Sequence, residues 1–117
     1  VKQLITAVCN LYDALILGYL NLLKERGEIT EIPTVPLKRL EEFEKRLPES
    51  SLKRFLEEYK ILRRCLTSEI YIKDEYRKSM KIICKYLDTE ITITQAKLKE
   101  IIESAREFTN IMLKYIG

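Results

Sequence analysis

The stretch Ile70-Tyr71-Ile72-Lys73-Asp74-Glu75-Tyr76-Arg77-Lys78-Ser79-Met80-Lys81-Ile82-Ile83-Cys84-Lys85-Tyr86-Leu87 decides how this chain folds. Two readings compete. Ile70-Tyr71-Ile72 is a β-branched and aromatic cluster of the kind that favours strands. Against it, Leu66, Ile70, Tyr76, Met80, Ile83 and Leu87 nearly keep a helical phase, broken at Lys73. Lys73, Arg77, Lys81 and Lys85 recur every four residues, a spacing that stacks side chains on one helix face. The helical reading is preferred: a break around Thr67 to Asp74, then a helix over about Asp74 to Leu87.

The rest of the chain reads as helices. Apolar residues from Leu4 to Leu23 recur at 3.6-residue spacing, so a first helix runs from about Lys2 to Arg26. Ile16, Leu17 and Leu20 lie off the main stripe and widen it. Gly27 suits a left-handed cap. Gly18, mid-helix, is explained by a close helix crossing. Pro33 and Pro36 interrupt the next segment, and a second helix covers about Pro36 to Leu47. A third starts at Ser50 or Ser51. Thr89 to Ile93 reads as a loop, and Thr94 caps a last helix from about Gln95 to Tyr115. These pieces predict one domain, residues 1–117: an all-α, up-and-down antiparallel bundle of four to five helices.

Composition narrows the function. Lys and Arg total 21 and Asp and Glu 18, so the net charge is +3. The excess sits between Lys53 and Lys85, while both flanks are slightly acidic. Lys73, Arg77, Lys78, Lys81 and Lys85, with Arg63 and Arg64 upstream, form the candidate site. It is either a solvated face or one that contacts the phosphates of a nucleotide, RNA or DNA. Tyr71 and Tyr76 are potential stacking platforms, though they read first as core residues. Arg63 and Arg64 read first as ion-pair partners of Glu58 or Glu69.

Other chemistries find no support. The chain has no histidine, which removes the commonest general base and metal ligand. Its three glycines are scattered, so there is no phosphate-binding loop. Cys9, Cys65 and Cys84 lie among apolar residues and read as inert buried thiols. The sequence therefore predicts no enzyme, no metal and no cofactor. No apolar run approaches the roughly 20 residues of a membrane span, and the start lacks the features of a signal peptide. The expectation is a cytoplasmic protein without a membrane role.

Three stretches carry a family likeness. They are Leu11-Tyr12-Asp13-Ala14-Leu15 in the first helix, the Pro-containing loop into a short second helix, and Ile93-Thr94-Gln95-Ala96-Lys97-Leu98-Lys99-Glu100-Ile101-Ile102-Glu103-Ser104-Ala105-Arg106-Glu107-Phe108 in the last. Together they resemble the HEPN superfamily, small helical bundles found beside minimal nucleotidyltransferases and in toxin–antitoxin systems. Nuclease members of that family carry an Arg, four to six spacers and a His. The likeness puts Arg64 in the Arg position and Glu69 where the His would fall. It therefore implies a non-catalytic HEPN-like module that binds a nucleotide or nucleic acid. The wide apolar circumference of the first helix is either wrapped by the bundle or forms a homodimer or partner interface through Ile16, Leu17 and Leu20; the likeness points to the homodimer and also implies a nucleotidyltransferase partner protein. The alternative is a helical protein–protein interaction subunit with no nucleic-acid role.

Overall fold

The computed structural model describes residues 2–73, 81–87 and 89–116. Its elements in chain order are α1 (Lys2–Glu25), α2 (Pro36–Lys45), a 3-10 turn (Ser50–Leu52), α3 (Lys53–Leu66), β1 (Glu69–Lys73), β2 (Lys81–Tyr86), β3 (Thr89–Thr94) and α4 (Gln95–Ile116). The strands form an antiparallel meander in the order β1-β2-β3. The fold is thus a four-helix frame with a three-stranded sheet, and the all-α expectation is corrected to mixed α and β. The expected helix over Asp74 to Leu87 gives way to β2 over Lys81–Tyr86, and its first part lies outside the described residues. The expected loop over Thr89 to Ile93 is β3.

Helical spacing builds the frame. On α1, Ile5, Val8, Cys9, Tyr12, Leu15, Ile16, Tyr19, Leu20 and Leu23 are all buried. At its end Gly27 takes φ 78°. The Gly27 N–H donates to Lys24 C=O at 3.0 Å and the Glu28 N–H to Leu23 C=O at 2.9 Å, a paired closure that needs the left-handed residue. Pro36 opens α2, where its missing N–H costs nothing, and Leu40 and Phe43 turn inward. On α3, Phe55, Leu56, Tyr59, Leu62 and Cys65 are buried. The helix stops where expected: the Thr67 N–H and hydroxyl both reach the Arg64 C=O. On α4, the Thr94 hydroxyl accepts the Lys97 N–H at 3.1 Å, the expected cap.

The sheet follows from alternation. Ile82 pairs with Ile93 and Cys84 with Ile70 and Ile91, and these residues pack into or against the helical core. The alternate positions, Glu69, Tyr71, Lys81, Lys85, Glu90, Thr92 and Thr94, are exposed. Period-2 alternation places one set on α3 and the other outward. Ile83 is the exception on the outer side, buried but apart from the main core.

Two interface residues need correcting. Ile16 and Leu20 are 2% and 0% exposed, because this chain's own helices wrap the wide apolar circumference of α1. Leu17 is half-buried. By length and composition α1 is also apolar enough to cross a membrane, contrary to the sequence reading. Here nearly half of that span is buried against the rest of the chain.

The crossing expected at Gly18 comes from the end of α4. A Cβ built on Gly18 meets the Ile116 side chain at 3.6 Å, an ordinary contact rather than a clash. Gly18→Ala therefore removes the helix-interior glycine penalty without overpacking. It is expected to stabilise the protein by about 1 kcal/mol, read as a higher urea midpoint with an unchanged slope.

Candidate functional site

The four-residue basic recurrence survives the change of secondary structure. Four is close to a helical turn, and it is also a multiple of the strand period. Lys81 and Lys85 therefore share the outer face of β2, both exposed. Lys73 ends β1 and stands opposite Lys81 in register. Arg77 and Lys78 lie outside the described residues. The predicted helix ridge is corrected to a row on a sheet.

The two ends of that row differ. Lys85 stands opposite Glu69 on one side and Glu90 on the other, so carboxylates flank it. Lys81 stands opposite Lys73 and Thr94. No carboxylate therefore opposes Lys81 in register. Neither Lys81 nor Lys85 forms an ion pair among the described residues. The Lys85 ammonium lies 5.5 Å from the centre of the Tyr71 ring. Tyr71 is 46% exposed, and its hydroxyl donates to the Glu69 carboxylate. It had read first as a core residue. The sheet turns it outward because it follows Ile70, which packs against the core.

Arg63 and Arg64 do not continue this row. They are on α3, which covers the opposite face of the sheet. Arg63 is occupied: its guanidinium pairs with Asp13 on α1 and donates to the Tyr59 hydroxyl at 2.9 Å. The Tyr59 hydroxyl in turn donates to Asp13. Burial and the adjacent Asp13 push the Tyr59 phenol up to about 12, so it stays protonated as a donor. This clamp across α1 and α3 was missed, because residues 50 apart in sequence give no local signal. Lys60 is likewise taken up, by Glu44 at 2.9 Å and Glu57 at 3.3 Å. Arg64 is exposed and has no ion pair among the described residues. Glu69 lies past the end of α3, on β1, so it shares no helix with Arg64.

A groove of about 970 Å³ runs beside Arg64, between α2, the end of α3 and the β2–β3 turn. Its rim includes Val35, Leu37 and Leu87, which are 48%, 57% and 89% exposed. Leu87 sits in the tight turn at φ 53°. A leucine there is disfavoured, since two-residue hairpin turns prefer Asn or Gly at such positions.

No protein-family model matches this chain, and no curated protein or solved structure matches it either. Among the described residues, no group of three or more His, Cys, Asp or Glu is placed to hold a metal. The thiols are all buried. Burial pushes Cys9 up to about 11, and burial, with Cys84 alongside, raises Cys65. Since the thiolate is the reactive form, a disulfide reagent at mildly alkaline pH is expected to label none of the three quickly. All three should react once urea unfolds the chain; fast labelling of the native protein would contradict this.

Proposed function

We propose that this chain binds single-stranded nucleic acid on the open face of its sheet, without cleaving it, and does so as a dimer. The observation that carries the reading is Tyr71: a half-exposed ring beside Lys85, on the same face as Lys81. Unpaired lysines supply phosphate contacts, which give affinity but no sequence information. An exposed ring supplies a platform for a base, a contact worth about 1–3 kcal/mol. The combination suits a flexible strand whose bases are free to stack.

A HEPN-like scaffold belongs to the same proposal. It is supported by the opening helix that carries Tyr12 and Asp13, the Pro-containing loop and the Thr94-capped last helix. So does the absence of cleavage, since Glu69 takes the place of the family's histidine and its carboxylate is engaged by Tyr71. That likeness also suggests a nucleotidyltransferase partner, and three buried, unpaired cysteines suit a cytoplasmic setting.

The test is fluorescence anisotropy with labelled RNA and DNA oligonucleotides. Affinity should fall with salt, with a log–log slope of about −0.7 per phosphate contact. Lys81→Ala with Lys85→Ala should flatten that slope by about 1.4 and weaken binding, with little dependence on sequence. Tyr71→Ala should cost roughly tenfold or more in affinity. The RNA should be intact after incubation. No binding at low salt, or binding indifferent to the double substitution, would overturn the reading.

The second reading, a protein–protein interaction subunit, is favoured by the strained and exposed Leu87 beside Leu37 and Val35. Strain at an exposed apolar residue is a common mark of a functional surface. Leu87→Asn is expected to stabilise the isolated chain by about 1 kcal/mol. Thermal unfolding checks this, and a loss of stability would show that Leu87 packs within its own chain.

A further inference from the structure

β3 is a sheet edge without the usual protection. Among the described residues its one strand neighbour is β2, and no loop or cap backbone hydrogen bond reaches its outer side. On an edge strand every second residue directs its N–H and C=O outward. Natural edges are commonly blunted by lysine, proline, a bulge or a covering element. Thr89-Glu90-Ile91-Thr92-Ile93-Thr94 contains no lysine, proline or glycine, and it pairs with β2 in unbroken register. β1 differs, since it ends in Lys73.

We propose that two copies of the chain join edge to edge through β3, antiparallel, with the two-fold axis at Thr92. In this register the strand is self-complementary, which suits a second copy. An antiparallel pair keeps each side chain on its own face only if directly opposite residues share that face. With the axis at Thr92, Ile91 meets the partner's Ile93, and Ile93 meets the partner's Ile91, on the covered side. On the exposed side Glu90 meets the partner's Thr94, and Thr92 meets itself. No glutamate opposes a glutamate, and no apolar residue crosses to the wet face. The result is one continuous six-stranded sheet. This deepens the dimer reading above: both copies present Tyr71, Lys81 and Lys85 on one surface, lengthening the track for a strand. It also relocates the interface from Ile16 and Leu20, which are buried, to a strand edge that has no backbone partner among the described residues.

The experiment combines sedimentation with cysteine cross-linking on the full chain. The unmodified protein at tens of micromolar should sediment at twice its 13.9 kDa mass. Thr92→Cys should form an intermolecular disulfide under mild oxidant, because residue 92 meets its own copy, whereas Glu90→Cys should not. The native cysteines are buried and supply a silent background. Thr92→Lys should shift the protein to monomer with an unchanged circular dichroism spectrum, since Thr92 is exposed and two lysines would then meet on the axis. A monomeric wild type overturns the proposal. So does a dimer in which the Thr92→Cys variant fails to cross-link, which would place the interface elsewhere, for instance on the apolar groove between α1 and α4 lined by Leu4, Val8, Leu11 and Ile102. Oligonucleotide binding by the wild-type chain diluted until it sediments as a monomer separates the two ideas. If it persists with a lower affinity, the sheet surface stands whether or not the edge pairs.

Discussion

Phe108 is the residue on which the architecture turns. Its ring stacks on Tyr12 of α1 at 4.6 Å, meets Phe43 of α2 edge-on at 6.4 Å and packs against Phe55 of α3 at 5.7 Å. One side chain of α4 thus touches all three other helices, and it is fully buried. Offset and edge-on ring pairs add about 0.5–1.5 kcal/mol each beyond the area they bury. The sheet depends on this frame. β1 leaves the end of α3 after two residues, and β3 runs directly into α4. With both ends of the meander anchored, its covered face rests on the helical frame, and on its other face Tyr71, Lys81, Lys85 and Thr92 are exposed while Ile83 is buried.

Buried polar groups show what the frame tolerates. Asp13, Tyr59 and Arg63 satisfy one another across α1 and α3, so a charge pair that is three-quarters buried is compensated. Removing one member would leave the others unpaired, which costs more than the pair contributes. The Tyr12 hydroxyl has no hydrogen-bond partner and lies near Glu58, whose carboxyl is raised by burial. Burial thus shifts Glu58 towards its neutral form relative to a free carboxylate. Stability from Glu58 is therefore present at low pH and is lost as pH rises through its folded pKa, opposite to the usual carboxylate. The Lys97 ammonium at 3.8 Å moderates the effect.

The helices were legible because each carries local punctuation and periodicity: Gly27 and Pro36 at boundaries, Thr94 as a cap, apolar stripes throughout. The sheet was not, for a specific reason. A lysine every four residues fits both a helix face and a strand face, so the most prominent pattern in Lys73 to Lys85 carried no information about which was present. The deciding signal lay in the neighbours. Ile82-Ile83-Cys84 is poor in strong helix formers, and Thr89 to Thr94 alternates strictly and is almost wholly β-branched. Read together as two strands around a two-residue turn, they describe a hairpin. Leu87 obscured it by occupying a turn position where Asn or Gly would have announced it. The Asp13–Arg63 pairing was illegible because it is made only after α1 and α3 dock.

The change from ridge to sheet alters what the lysines can do. On a helix, residues four apart are separated by about 6 Å along the axis, and curvature restricts a ligand to one narrow line. On strands, Lys81 and Lys85 are about 13 Å apart along β2. A second row of side chains lies one strand spacing away, so the surface is broader than a helix ridge. Such a face can offer phosphate contacts at its rim and a ring between them, which a helix ridge of lysines alone cannot. Glu69 and Glu90 bear on the same surface. They stand opposite Lys85 on both neighbouring strands, whereas no carboxylate opposes Lys81.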